Sequence, residues 1–235
     1  MTKQYKIADL YVDMDVSGRT LSQAEPYLFA GDHPADMTIR VNAEKILQEA
    51  PHFGTLDVAE YMGTGVSFAR KILNFNGYYI HSSAVILGGK AYLFTAPSGT
   101  GKSTHTGKWI RLFGARYLND DKPVLRLVDG VWMAYGTPWS GKHDLSSNEG
   151  VPLGGIACLR RGEVNEITPM TPAAALPLLM SQTVHRLYKE QVEKQLVLLD
   201  SLLRDIPIWD LACRNDDEAA YVSHAAMTGE AHLWK

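Results

Sequence analysis

The run Thr95-Ala96-Pro97-Ser98-Gly99-Thr100-Gly101-Lys102-Ser103-Thr104 holds the residues best suited to gripping a phosphate. Glycines at 99 and 101 let backbone N–H groups turn inward around anionic oxygens with no side chain in the way. A helix starting here adds the partial positive charge of its N-terminus on the same side. Lys102 is placed to reach the β- and γ-phosphates of a nucleoside triphosphate, and the Ser103 hydroxyl to ligate Mg²⁺. The run follows the apolar stretch Ala91–Thr95 and precedes a helical pattern over Lys102–Phe113 that Gly114 stops. Strand, loop and helix in that order are the context a phosphate loop requires. Ala96 stands where the G-x-x-x-x-G-K-[ST] pattern has its first glycine, and alanine is small enough to replace it. Pro97, Ser98, Gly99, Thr100, Gly101, Lys102, Ser103 and Thr104 are thus the nucleotide-binding candidates, with ATP and Mg²⁺ the expected ligands. The earlier Gly63-Thr64-Gly65 lacks a following lysine and reads as a turn before a helix.

One helix further on comes Asn119-Asp120-Asp121-Lys122. Two acids at the end of a short strand suit a second nucleotide motif, one holding Mg²⁺ and the other accepting the proton of an attacking hydroxyl. Close carboxylates repel, so a metal or lysine nearby is needed to keep both ionised. His81 lies within the strand-like segment before the phosphate loop, where a lone histidine is usually structural. His105 and His185 fall on helices and His143 in a loop; they carry core or surface roles, with His143 also a contact candidate.

The elements that must position these residues follow from periodicity. Tyr5–Val12 alternates as a strand, Ala43–Ala50 is a short helix, Asp57–Tyr61 a strand and Val66–Leu73 helical. Tyr78–Leu87 is rich in aromatic and β-branched residues, and Gly88-Gly89 turns it into Ala91–Thr95. Val124–Val128 and Val131–Tyr135 flank Asp129-Gly130, a hairpin signal. Gly155–Arg160 and Glu163–Ile167 flank another turn. Thr171 is an N-cap with Pro172 at the first helical position, and helical spacing continues through Leu203. Pro207–Cys213 reads as a strand, and Asp216 caps a last helix. The expectation is an α/β protein with a small α+β region over residues 1–75 and a catalytic domain over 76–235.

Composition excludes other classes. The 235 residues are 46% apolar and 21% charged, so a core of normal size forms without staples. A net charge of −3 gives no electrostatic reason to expect nucleic acid or an acidic membrane as partner. Cys158 and Cys213 are far apart in sequence and read as buried, reduced thiols. The N-terminus lacks a signal peptide's apolar core, and no apolar run approaches the roughly 20 residues of a membrane helix. These features predict a cytoplasmic protein.

The run His81-Ser82-Ser83, the phosphate loop Pro97–Thr104 and Asn119-Asp120-Asp121 together resemble the catalytic core of bacterial HPr kinase/phosphorylase. They equally resemble the smaller HPr-kinase-like proteins of biosynthetic clusters, including kinases that tail lasso peptides, and the nucleotide site is similar to that of PEP carboxykinase. The resemblance covers Gly77 to the C-terminus. It implies the fold of the HPr kinase C-terminal domain. It also implies that His81 lies near the transferred phosphate, that Asp120 is the base or acid, and that Ser103 and Asp121 serve the metal. Ala134–Lys142 looks like a loop of the same relatives, which makes Ser140 and Lys142 substrate-loop candidates. The family often forms hexamers or other homo-oligomers, so self-association is an expectation. The glycine-rich, glutamate-containing signature of the bifunctional enzymes is missing and residues 1–75 are too short for their regulatory domain. Neither HPr as substrate nor phosphorylase activity is therefore implied. The acceptor expected from the resemblance is a serine-type hydroxyl of a peptide or protein, with a small molecule such as free serine as the alternative. A nucleotide-dependent binding module with little turnover is the reading of another class; Asp120, Asp121 and His81 argue for an enzyme, since a binding module needs only the loop.

Overall fold

The computed structural model describes residues 2–184 and 187–230. His185 lies outside them. Among the described residues, strands form two sheets in a mixed α/β architecture, one three-stranded and one a curled sheet of nine.

The N-terminal sheet is built from β1 (Lys3–Ile7), β2 (Leu10–Met14) and β3 (Met37–Ile39), in that spatial order. The segment expected as a single strand over Tyr5–Val12 is a hairpin. Ala8 and Asp9 both take positive φ, 52° and 58°, and reverse the chain in two residues. Helices α1 (Gly18–Ala24), α2 (Ala43–Glu49) and α3 (Leu56–Lys71) accompany this sheet. The strand expected over Asp57–Tyr61 is the start of α3, and Gly63-Thr64-Gly65 is its middle rather than a turn. Thr55 caps α3 by accepting a hydrogen bond from the Val58 N–H at 3.2 Å. The two glycines serve packing. A Cβ at Gly63 would lie 2.3 Å from Ile46 of α2, and one at Gly65 would lie 2.9 Å from the Trp139 indole.

In the large sheet, β4 (Gly77–Tyr79) and β5 (Ser82–Leu87) replace the continuous strand expected over Tyr78–Leu87. The break at Ile80-His81 sends them to different neighbours. β4 pairs with β8 (Val124–Val128), whereas β5 pairs with β6 (Lys90–Thr95) and β7 (Arg116–Asn119). Helix α4 (Lys102–Phe113) connects β6 to β7, and Gly114 ends it in the left-handed conformation at φ 70°. β8 and β9 (Val131–Tyr135) form the hairpin expected around Asp129-Gly130. The twelve-residue β10 (Gly150–Arg161) is the seam of the curl. Its start pairs with β9, and its later part runs parallel between β6 and β12 (Ile208–Cys213). β11 (Glu166–Pro169) pairs with β12, so the segments expected to flank a turn are separated by an inserted strand. The helical pattern expected through Leu203 is two helices, α5 (Pro172–Ser181) and α6 (Lys189–Asp205). Thr171 and Asp216 cap α5 and α7 (Asp217–Thr228) as their types predict, accepting from the Ala174 and Ala219 N–H groups.

The N-terminal sheet and the large one share a core. Tyr5, Ile7, Val12, Phe68 and Ile72 pack with Val124, Tyr135 and Trp139. Cys158 is buried and Cys213 half-buried, both as free thiols. Among the described residues no helix is long and apolar enough to cross a membrane.

The Gly65–Trp139 contact makes a prediction. Gly65→Val drives a branched side chain into the indole, and overpacking of this kind costs about 1–3 kcal/mol. Urea denaturation should show a lower midpoint, although valine is a better helix former than glycine.

Candidate active site

Strand β6 is buried along most of its length and delivers the chain to a loop at its C-terminal end. There Gly99 and Gly101 take φ of +78° and +120°. A Cβ at either would meet nothing within 4 Å, so conformation rather than crowding requires glycine. Ala96, in place of the pattern's first glycine, is buried, and its carbonyl accepts a 2.8 Å hydrogen bond from Lys102 Nζ. Pro97 O receives Thr100 Oγ1 at 2.8 Å and Lys102 Nζ at 3.4 Å, which folds the lysine over the loop's own backbone. Burial lowers the Lys102 pKa, while Asp121 and Asp120 pull the other way. Ser103 and Thr104 are exposed on the first turn of α4.

The two acids stand beside this loop because Asn119 shapes the turn that carries them. Asn119 is fully buried. Its Oδ1 accepts from the N–H groups of Asp121 (2.9 Å) and Lys122 (2.7 Å), while its Nδ2 donates to Thr137 O at 2.9 Å. Such an Asx turn needs a short side-chain amide or carboxylate at that position. Asp120 is nearly buried, and its Oδ1 accepts from Ser83 Oγ at 2.5 Å. Asp121 lies 3.3 Å from His81 Nε2 through Oδ1 and 2.5 Å from Lys122 Nζ through Oδ2. Burial pushes the Asp121 carboxyl up, but His81 and Lys122 outweigh it and hold it down at about 2. His81 Nδ1 in turn lies 3.1 Å from Gln182 Oε1, at the C-terminal end of α5.

A cleft of about 430 Å³ joins these parts. His81, Ser98, Gly99, Gly101, Lys102, Ser103, Thr104, Asp120, Asp121 and Lys142 all line it, together with Gly141 and His143. Three of the expected residues do not line it, Pro97, Ser140 and Thr100; Pro97 enters only through its carbonyl, which holds Thr100 and Lys102. Ser140 is buried behind the cleft, its hydroxyl without a hydrogen-bond partner among the described residues. Thr100 faces a second cleft of about 480 Å³ on the other side of the loop, bordered by Lys108, Leu159, Arg161, Arg214 and Asn215. Gly99, Gly101 and Thr104 border both clefts.

Lys122, Ser83, Asn119 and Gln182 belong to the site although none was a site candidate. Ser83 and Asn119 lie in the runs that carry the resemblance, Lys122 answers the need for a cation beside two acids, and Gln182 had no signal. The far wall is held by the N-terminal region. Gly141 fits against Asp121, where a Cβ would lie 2.9 Å from the aspartate's Cβ. The Tyr61 hydroxyl accepts from Gly141 N–H at 3.2 Å, and Arg19 donates to Gly141 O. Arg19 and Gln23 also hold the Asp144 carboxylate.

The donor set suits a hard divalent cation. Mg²⁺ is usually bound by one or two carboxylates plus substrate phosphates and water rather than by a full protein cage. Ser103 and Asp121 offer oxygen ligands along one cleft, and no cluster of three or more His, Cys, Asp or Glu exists among the described residues to offer a closed site. His105, by contrast, is a core residue. It bonds Ser223 Oγ of α7 at 2.9 Å, packs on Phe94, and burial drops its pKa to about 3.

No family model matches the chain, and no curated protein matches it. Among solved structures, the HPr(Ser) kinase/phosphatase from Coxiella burnetii aligns over 64% of this chain and 95% of its own, at 9% identity and a TM-score of 0.39. That is a distant structural likeness, and the chemistry rests on the geometry of the cleft itself.

His105 yields a pH prediction. Its folded pKa lies below the unfolded value, so the unfolded chain gains a proton first as pH falls. Stability is therefore lost from about pH 6.5 downward, by up to about 1.4 kcal/mol per pH unit, until the folded pKa is reached. His105→Gln should flatten that slope in denaturation curves taken between pH 7 and 4.

Proposed function

We propose that the protein is an ATP- and magnesium-dependent kinase that moves the γ-phosphate onto a serine-type hydroxyl of a peptide or protein. The observation that carries this reading is the shared cleft: a glycine loop with Lys102 and Ser103 on one wall, Asp120 and Asp121 on the other. The arrangement supports a core over residues 76–235 of the HPr kinase C-terminal type, with residues 1–75 as a buttress. The cytoplasm would supply both ATP and magnesium.

The roles follow from chemistry and position. Backbone N–H groups of Gly99–Lys102 and the start of α4 receive the phosphates. Lys102 leaves its backbone acceptors for the β- and γ-phosphates as a point charge. Ser103 and Asp121 would hold Mg²⁺, which when bound neutralises charge on the phosphate oxygens. The acceptor oxygen forms a bond to the γ-phosphorus and its proton passes to Asp120. The bond from that phosphorus to the bridging oxygen breaks, and ADP departs. His81, its two ring nitrogens facing Asp121 and Gln182, would border the transferred group and hold Asp121 in place, and Lys142 would add a cation to the same cleft. The second cleft, sharing Gly99, Gly101 and Thr104, takes the nucleoside end of ATP.

The exposed Lys142 and His143 at the rim favour an acceptor presented on a chain. A free hydroxy metabolite is the other acceptor class, separated by assaying γ-labelled ATP with a serine peptide, with free serine and with water. Lys102→Ala should abolish transfer and strongly weaken ATP binding in a calorimetric titration; normal affinity would refute the loop's role. Asp120→Asn should keep ATP affinity while turnover falls about 10²–10⁴-fold, the usual contribution of a general base. Asp121→Asn and Ser103→Ala should instead raise the magnesium concentration needed for half-maximal nucleotide binding. Two aspartate variants with full activity would remove both aspartates from the mechanism.

A further inference from the structure

Strand β5 presents two serines in succession, and they face opposite ways. Ser82 Oγ turns back to Ile80 O at 3.3 Å. Ser83 is fully buried, with its Oγ 2.5 Å from Asp120 Oδ1 and 2.9 Å from Thr106 Oγ1. Thr106, also fully buried, lies on the second turn of α4, 3.2 Å from Lys102 O and 3.1 Å from Ser103 O. Hydroxyls thus run from the carboxylate to the helix turn that bears Lys102 and Ser103.

Hydrogen counting gives this chain a direction. An ionised carboxylate only accepts, so Ser83 spends its one hydrogen on Asp120 Oδ1. The Ser83 oxygen is then free to accept from Thr106, at a shorter distance than either of the threonine's backbone alternatives. The bond to Asp120 is charge-assisted and buried, which is the stronger class of hydrogen bond.

We propose that Ser83 is a positioning residue that pins Oδ1 of Asp120 against α4 and leaves Oδ2 as the atom that takes the acceptor's proton. The proposal rests on Asp120 being the base. It makes the distance between base and phosphate loop a property of the buried hydroxyl chain, because both ends of that chain are fixed to α4 and β5. An Asp120 without Ser83 keeps its place in the turn, but it loses the constraint on which oxygen faces the cleft.

The test measures turnover, ATP affinity and melting temperature on the full chain, with serine peptide, free serine or water as acceptor. Ser83→Ala should lower kcat about 10- to 100-fold, the loss expected for a hydrogen bond to a charged group. The KM for ATP and the affinity for a fluorescent ATP analogue should stay within about threefold, since the variant leaves the phosphate loop intact. Ser83→Thr retains the hydroxyl and should restore most of kcat. Thr106→Val, nearly isosteric, should give a smaller loss of kcat and serves if Ser83→Ala does not fold. In an Asp120→Asn background Ser83→Ala should have almost no further effect, because it acts through that carboxylate. A wild-type kcat in Ser83→Ala, or a full additional loss in the Asp120→Asn background, would overturn the role given to Ser83. A wild-type protein that transfers phosphate to none of the three acceptors would overturn the kinase reading itself, and this one with it.

Discussion

Two adjacent, largely buried carboxylates beside a glycine loop repel each other, and the architecture of the cleft is largely an answer to that repulsion. Asp120 and Asp121 are adjacent in sequence and both are largely removed from water. Left alone, burial and mutual repulsion would protonate at least one of them. The structure separates their solutions. Asp121 is charge-balanced by Lys122 and contacted by His81, which hold its carboxyl low. Asp120 instead accepts its hydrogen bond from the neutral hydroxyl of Ser83. One carboxylate thus meets a cation and a histidine, and its neighbour a buried hydroxyl. The difference arises from what each touches, not from the residue type.

Holding two neighbouring carboxylates in different surroundings requires a turn of fixed shape. Asn119 provides it with one side chain that accepts two backbone N–H groups and donates to Thr137. Thr137 Oγ1 returns a bond to Lys122 O at 2.8 Å, closing the turn from outside. Buried polar networks of this kind rigidify only when every member is satisfied. The break between β4 and β5 serves the same end. If the strand ran straight through Ile80-His81, His81 would be committed to one ladder. With the break, its N–H bonds Gln182 O at 2.7 Å while Ser82 N–H bonds Asp121 O at 3.1 Å, and the ring is left beside the carboxylate.

The strand, glycine loop and helix were legible because their requirements are local: positive φ at glycines 99 and 101, a lysine and a hydroxyl in the first helical turn, and an apolar strand before them. The positions of Asp120, Asp121 and His81 followed from that loop and from the family resemblance, and they do line one cleft with it. What stayed hidden depends on contacts between distant segments. Nothing around Ser83 signals that it meets Thr106 and Asp120, 23 and 37 residues away. The segment Asp57–Tyr61 is too short to separate a strand's alternation from one turn of helix, and the need for α3 comes from its packing against α2 and Trp139. The hairpin at Ala8-Asp9 was missed because neither residue is the glycine or asparagine that usually marks left-handed backbone. Ser140, expected in the substrate loop, sits behind it, because Trp139 anchors the neighbouring backbone in the N-terminal core.

That anchoring bears on what the N-terminal region is for. Trp139 packs on Phe68 and donates to Thr64 Oγ1 at 3.2 Å, both on α3. Two residues on, Gly141 is bound through its N–H to Tyr61 and through its carbonyl to Arg19, and Asp144 is held by Arg19 and Gln23. The backbone carrying Lys142 and His143 is thus pinned on both sides, while their side chains are exposed toward the cleft. A loop fixed in this way keeps its cation at the cleft without the entropy cost of ordering a free segment. It also means that the wall opposite the glycine loop belongs as much to α1 and α3 as to the large sheet. A boundary at residue 75 divides the chain by secondary structure, but it does not divide the cleft, whose geometry depends on contacts made across it.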